Sequence, residues 1–112
     1  MLPRGRLRAV VEYIEEHLDA SPTLAEMAAV VGLNPYHFAR QFKAATGLPP
    51  HQYVIARRVE RAKQILQAAA EELPLAEVAL EAGFSDQSQF CRHFKRLVGV
   101  TPGQFRTPAR IA

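Results

Sequence analysis

The feature that most constrains this chain is an internal repeat. Leu24–Gly32 matches Leu75–Gly83, and after a turn that is one residue longer in the second copy, Phe38–Gln52 matches Phe90–Gln104. Identical residues include a glycine at each turn and an aromatic residue, an arginine and a lysine beyond it. A repeat of this kind means that one structural unit is built twice.

Helix signals surround the first copy. Apolar residues at helical spacing predict a helix over about residues 4–19. Thr23 and Glu26 have the spacing of a capping box, and Gly32 suits the left-handed residue that ends a helix. Asn34 followed by proline predicts a capped start of the third helix.

A longer helix follows from Pro50 and meets no proline or glycine before Pro74. In the second copy, Gly83 ends the fifth helix, Ser85 is expected to cap the sixth, and Thr101 with a following proline starts the seventh. No segment alternates with a period of two, so we predict no strands.

The predicted fold is therefore all-α, with seven helices and two helix-turn-helix subdomains joined by a long central helix. We expect one domain over residues 1–112, made of a first subdomain (4–48), the central helix (49–70) and a second subdomain (71–112), with a frayed tail from Thr107.

Successive helical residues are turned by about 100°, which separates two arcs on the third and sixth helices. The predicted outward arcs hold Tyr36, Ala39, Arg40 and Lys43 in the third helix and Ser88, Cys91, Arg92 and Lys95 in the sixth. The predicted inward arcs hold Phe38, Phe42 and Ala45, and Phe90, Phe94 and Leu97.

The outward arcs suit the major groove of DNA, where an arginine can bond guanine with two hydrogen bonds. The lysines, and the amides at the helix starts of Asn34 and Ser85, suit phosphate oxygens. An exposed arginine with a lysine three residues later is usually a solvated face. Its recurrence in the second copy favours base contact by Arg40 and Arg92.

The predicted spacing supports the same interpretation. A central helix of about 20 residues is roughly 30 Å long, close to the roughly 34 Å between neighbouring major-groove faces on one side of B-DNA. Both copies run in the same chain direction. We therefore expect a non-palindromic site of two boxes, with a DNA bend that costs about 1–6 kcal/mol.

Composition adds weaker constraints. A net charge of +3 leans towards an anionic partner. The single cysteine, Cys91, excludes an intrachain disulfide and suits a reducing compartment. No apolar run is long enough to span a membrane, so we expect a cytoplasmic chain that contacts no membrane. The expected DNA contact would associate it with the nucleoid, and we expect no metal or cofactor.

From about Leu7 to Arg106, the sequence resembles the DNA-binding module of the AraC/XylS-type family of transcription regulators. The residues that carry the resemblance are Arg58, Ala62, Ala79, Gly83, Phe84, Ser85, Phe90, Phe94, Lys95, Gly99, Thr101, Pro102, Phe105 and Arg106.

The resemblance implies a bacterial regulator, more often an activator, that binds double-stranded DNA and can contact RNA polymerase. It also implies base contacts from Tyr36, Ala39 and Arg40 in the first unit and from Gln87, Ser88, Cys91 and Arg92 in the second. The phosphate contacts expected from the helix starts and the lysines are Asn34, Lys43, Ser85 and Lys95.

The chain departs from the family pattern in two ways. Ala39 and Cys91 stand where longer polar side chains are common, which favours broader specificity or recognition of DNA shape. Pro49 precedes the central helix without a capping side chain. Most family members add an effector-binding domain, so we expect either a short stand-alone regulator or a piece of a longer one, with no small-molecule ligand in this domain.

Two other classes of protein compete with this interpretation. An enzyme is disfavoured because His17, His37, His51 and His93 lie on different helices, and Cys91 and His93 project about 200° apart. A protein-binding helical module is the stronger alternative, with acidic patches at Glu12, Glu15, Glu16, Glu71 and Glu72. Steep salt dependence would distinguish DNA binding from apolar docking.

Overall fold

The computed structural model describes residues 1–68 and 73–107, and the regular structure in that part of the chain is entirely helical. The seven helices are α1 (Arg4–Glu16), α2 (Leu24–Val30), α3 (Pro35–Thr46), α4 (Pro50–Ala68), α5 (Leu75–Ala82), α6 (Gln87–Val98) and α7 (Pro102–Arg106). The prediction of an all-α fold with seven helices is confirmed. Glu71, Glu72, the predicted end of the central helix and the tail beyond Thr107 lie outside the described residues.

The chain divides into two compact units, Met1–Ile55 and Ala56–Ala112. The first unit contains α1, α2, α3 and the beginning of α4, and the second contains the rest of α4 with α5, α6 and α7. The subdomain limits at residues 48 and 70 stay predictions.

The first unit is built around α3. Phe38 and Phe42 are fully buried on one side of this helix, and the Phe42 ring meets the edge of Tyr53 at 5.1 Å between centroids. Val10 and Ile14 of α1 join the same core without exposed surface. Burying each large side chain stabilises the unit by about 1.5–3 kcal/mol, so these contacts fix which side of α3 faces outward.

The second unit repeats this arrangement around α6. Phe90 and Phe94 are fully buried, and their rings lie 5.6 Å apart. Phe84 contacts Phe90 at 5.5 Å and Phe105 contacts Phe94 at 5.4 Å, which gives a continuous row of four rings. Arg58 of α4 is buried with its guanidinium 5.9 Å from the Phe84 ring centre.

The local signals for helix ends are largely confirmed. Thr23 and Glu26 form the capping box in both directions, and Thr101 forms a second one with Gln104. Asn34 caps α3 by accepting a hydrogen bond from the His37 amide at 2.9 Å. These short-range bonds satisfy amides that have no partner inside the helix.

The predicted cap of α6 is wrong by one residue. Asp86, not Ser85, is the N-cap, and its carboxylate accepts a hydrogen bond from the Gln89 amide at 2.8 Å. The Ser85 hydroxyl instead donates to the Gln89 side-chain oxygen at 3.3 Å. Both Ser85 and Asp86 have side chains that can cap a helix. Because α6 begins at Gln87, Asp86 is the residue three before the Gln89 amide that needs an acceptor.

The first helix also ends earlier than predicted, at Glu16 rather than Asp19. The His17 amide donates to Ile14 O at 3.1 Å, and the Ala20 amide donates to His17 O at 3.0 Å. These three-residue bonds tighten the chain into a turn, yet they keep the apolar spacing that places Leu18 in the core.

Two residues assigned to the inward arcs are exposed. Ala45 lies at the surface of α3, and Leu97 keeps 45% of its side-chain exposure in α6. Both border an open groove: Ala45 lines one with Leu7 of α1, and Leu97 lines one with Val59 of α4, so each side chain keeps open space beside it. An inward direction buries a side chain only where another element packs against it.

Candidate nucleic-acid interface

The outward arc of α3 forms the candidate surface of the first unit. Tyr36 is 65% exposed, Arg40 and Lys43 are exposed, and Ala39 is half-buried between them. The opposite side of the helix is held by the two buried phenylalanines described above. The helix therefore presents an aromatic ring and two cations in a fixed direction.

Tyr36 and Arg40 interact with each other on this arc. The Arg40 guanidinium lies 5.7 Å from the centre of the Tyr36 ring, and its Nη1 donates a long hydrogen bond of 3.5 Å to the phenol oxygen. A cation over an exposed aromatic ring contributes about 0.5–1 kcal/mol. The contact restricts where the guanidinium points on the outward arc.

The beginning of α3 adds hydrogen-bond donors. Pro35 has no N–H, and the amide of His37 is occupied by the Asn34 side chain. The Tyr36 amide remains as the first-turn donor that the cap does not engage. A helix start with such a donor and no acidic residue in its first turn suits a phosphate oxygen.

The outward arc of α6 forms the candidate surface of the second unit. Gln87, Ser88, Arg92 and Lys95 are exposed, and Cys91 is half-buried. Lys95 and Arg96 lie in the last turn, where cations interact favourably with the helix dipole. Arg96 also approaches the ring of His93 at 3.0 Å. The arc is thus more basic than that of α3 along its second half.

The two surfaces differ in how they hold their arginine. The second copy has Ser88 where the first has Tyr36, and a serine is too short to stack on the guanidinium of Arg92. The start of α6 also differs, because the Asp86 carboxylate adds a negative charge there. The phosphate contact predicted for Ser85 would form beside that charge. The sequence prediction missed the nearby charge because it assigned the cap to Ser85.

The described residues offer little that would support another kind of site. Within residues 1–68 and 73–107, no three histidine, cysteine, aspartate or glutamate side chains are grouped so as to hold a metal ion. Among the helices of that part of the chain, none combines the length and apolar character needed to cross a bilayer.

Two helix-turn-helix units, each with a basic outward arc backed by buried phenylalanines, define a helix-turn-helix nucleic-acid-binding protein. The family model described as "Helix-turn-helix domain" matches residues 27–108. The chain belongs to the AraC/XylS-type family of helix-turn-helix regulators.

Named relatives agree with this assignment. The "Probable transcriptional regulator LumQ" of Photobacterium leiognathi is 40% identical over 94 residues, which are 84% of this chain and 37% of LumQ. The DNA-binding domain of AdpA, a global transcriptional factor solved in complex with a target DNA, is 31% identical, with a TM-score of 0.82 over 90% of this chain and 89% of that one.

The C-terminal domain of AraT, a response regulator from Geobacillus stearothermophilus, is 29% identical, with a TM-score of 0.84 over 99% of this chain and 90% of that one. The chain spans about a third of the length of the curated relatives it matches. The family match and the similarity to LumQ and AdpA are those of DNA-binding transcription regulators, which confirms the prediction that the chain is not an enzyme.

Proposed function

We propose that this chain is the DNA-binding module of a bacterial transcription regulator, and that it inserts α3 and α6 into consecutive major grooves of a non-palindromic site. The observation that carries the proposal is the repeated arc, with an exposed arginine and an exposed lysine opposite two buried phenylalanines in each unit. The AdpA domain, which is similar over nearly the whole chain, was solved with its target DNA.

The residues of the arcs and of the two helix starts have assigned roles in this proposal. The base contacts are Tyr36, Ala39, Arg40, Gln87, Ser88, Cys91 and Arg92, and the phosphate contacts are Asn34, Lys43, Ser85 and Lys95. The arginines supply paired donors that match guanine, whereas the lysines supply a compact charge that matches any phosphate. Ala39 and Cys91 offer apolar contact with a thymine methyl group.

The regulatory part of the proposal has its support in the family. Activation through contact with RNA polymerase, and effector sensing outside this domain, are expectations that follow from the AraC/XylS assignment. In a bacterial cell the chromosome lies in the cytoplasm, so the proposal places the chain there, on the nucleoid.

The test is selection of bound duplexes from a random pool, made with the parent chain and with four variants. Arg40→Ala and Arg92→Ala should each weaken binding by about 1–3 kcal/mol, or roughly 5- to 150-fold, and should relax preference in different boxes. Lys43→Ala and Lys95→Ala are matched controls, because they remove the same charge three residues along the helix. They should weaken binding to all DNA sequences alike.

Two results would contradict the proposal. The base assignments fail if the arginine variants select the same motif as the parent chain with the same stringency. DNA binding itself fails as the function if the affinity of the parent is insensitive to salt, since release of counterions makes specific binding fall steeply with ionic strength. Binding whose affinity does not depend on salt would instead favour the alternative function, apolar docking to a protein.

A further inference from the structure

A groove lies beside α3 in the first unit, next to the outward arc. Its volume is about 740 Å³, and its lining includes Arg4 and Leu7 of α1 and His37, Arg40 and Ala44 of α3. Arg40 thus borders both the outward arc and this groove. The groove is therefore continuous with the surface proposed to contact base edges.

The direction of the groove follows from helix geometry. The lining residues of α3 run from Arg40, about 40° from Tyr36 around the helix axis, through His37 and Ala44 at roughly 80–100°, to Ala45 at about 180°. When the outward arc of a helix faces base edges in the major groove, its flanks face the sugar-phosphate strands that border the groove. The groove is on one of these flanks, at the place where a strand would pass.

The chemistry of the groove matches such a strand. Leu7 and Ala44 supply apolar surface, whereas Arg4 and Arg40 supply positive charge on either side. A DNA strand alternates apolar deoxyribose with anionic phosphate. The second copy has the larger residues Arg96 and Leu97 where the first has Ala44 and Ala45. The small side chains that leave this groove open are therefore particular to α3.

Arg4 occupies a position that the helix itself does not favour. It is the first residue of α1, which has no acidic residue in its first turn and no side-chain hydrogen bond from its cap, Pro3. A cation there opposes the positive end of the helix dipole. The helix itself therefore gives no electrostatic reason for a cation in this turn, and the lining of the groove is what distinguishes Arg4.

Arg6 provides a contrast within the same turn. Two residues along a helix correspond to a rotation of about 200°, so Arg6 points away from the groove. Its guanidinium instead approaches the carbonyl oxygen of Val31 at 3.5 Å. The two arginines carry the same charge at nearly the same place in the chain, but only Arg4 lines the groove.

We propose that the groove between α1 and α3 seats the sugar-phosphate strand that flanks the major groove entered by α3, and that Arg4 binds one of its phosphates. This inference rests on the proposed function, since it extends the DNA contact of the first unit from α3 to α1. Arg4 adds affinity without adding sequence preference, because a phosphate is the same at every base pair.

The experiment measures the affinity of the full chain for its selected duplex between 50 and 200 mM salt, by fluorescence anisotropy. The variants are Arg4→Ala, Arg4→Lys and the matched control Arg6→Ala, each checked for helical content by circular dichroism. The slope of log K against log salt is negative, and the loss of one phosphate contact should make it shallower by about 0.9. The advantage of the parent over Arg4→Ala should therefore shrink roughly three- to four-fold across that range.

Three further outcomes complete the test. Arg4→Lys should restore the slope, and Arg6→Ala should leave it at the parent value, whereas the selected motif should be the same for all variants. A slope for Arg4→Ala equal to that of Arg6→Ala would overturn the inference, and so would a changed motif, which would indicate a base contact. If the parent chain itself shows neither a motif nor salt dependence, both this inference and the proposed function are wrong.

Discussion

Asp86 should make opposite contributions to folding and to DNA binding. Its carboxylate caps α6 by accepting the Gln89 amide at 2.8 Å, and it also places a negative charge at the start of the helix proposed to enter the second major groove. The cap and the charge can be separated by substitution. Asp86→Asn keeps a side-chain acceptor without the charge, whereas Asp86→Ala removes both.

The effect on stability follows from the cap. Loss of an N-cap residue to alanine costs about 0.5–2 kcal/mol, and loss of the favourable charge at a helix start costs about 0.3–1 kcal/mol. We therefore expect Asp86→Ala to lower the free energy of unfolding by about 1–2 kcal/mol. Asp86→Asn should lower it by less than about 1 kcal/mol. Urea unfolding followed by circular dichroism measures both changes.

The effect on DNA affinity should have the opposite sign. A carboxylate about 8 Å from a phosphate in water repels it by roughly 0.5 kcal/mol, and charges at that distance are only partly screened at 0.1 M salt. Asp86→Asn should therefore bind DNA about twice as tightly as the parent at low salt. The gain should fade as salt is raised.

Ser85→Ala is the control for the cap, because Ser85 is the neighbouring residue and its hydroxyl donates to the Gln89 side chain. It should change the free energy of unfolding by less than about 0.5 kcal/mol. Equal destabilisation by Ser85→Ala and Asp86→Ala would refute the assignment of the cap. Weaker DNA binding by Asp86→Asn would refute the electrostatic reasoning.

Two further predictions concern the stability of each unit. Phe94→Ala should lower the free energy of unfolding by about 3–5 kcal/mol, because it empties a fully buried site in the row of rings, whereas half-buried Phe105→Ala should cost less; equal losses in urea unfolding would contradict the packing described for Phe94. In the first unit, the Thr23 amide donates a hydrogen bond to the Glu26 carboxylate. This bond is the larger cause, and the hydrogen bond with the Thr23 side chain the smaller one, that holds the pKa of Glu26 below its ordinary value of 4.5. Since the folded-state pKa is lowered, the stabilisation is complete above pH 4.5 and is lost as the pH falls through the folded value. The stability difference between the parent and Glu26→Gln should therefore shrink on acidification, and a difference that is constant from pH 7 to pH 3 would disprove the linkage.

The helix starts and ends show which parts of this fold can be predicted from sequence. Thr23 with Glu26, and Asn34 with Pro35, are signals in which the partners are only a few residues apart, so no knowledge of the tertiary structure is needed. The same locality explains the error at α6. Ser85 and Asp86 are both good caps, and the choice between them depends on the path of the turn that follows Gly83.

Which side chains are buried, and which lie side by side at the surface, depends on tertiary contacts that cannot be read from the sequence. Helical periodicity placed Phe94 in the core correctly, but it gave Leu97 the same direction and could not show that Leu97 borders an open groove beside α4 and stays 45% exposed. The groove beside α3 was likewise not predicted, since it requires α1 and α3 to be brought together. The only sequence signal for it was an arginine at position 4 in a helix start without an acidic residue.

The separation of the two sides of α3 and α6 has a consequence for how such a protein can change. The side chains that hold each helix in place, such as Phe38 and Phe90, do not take part in the outward arc, so new surface residues can be introduced without rebuilding the interior. The two copies already differ at Tyr36 and Ser88, so under the proposed function each half can acquire its own preferred bases independently. A duplicated scaffold of this kind can therefore generate a large repertoire of operators from few substitutions.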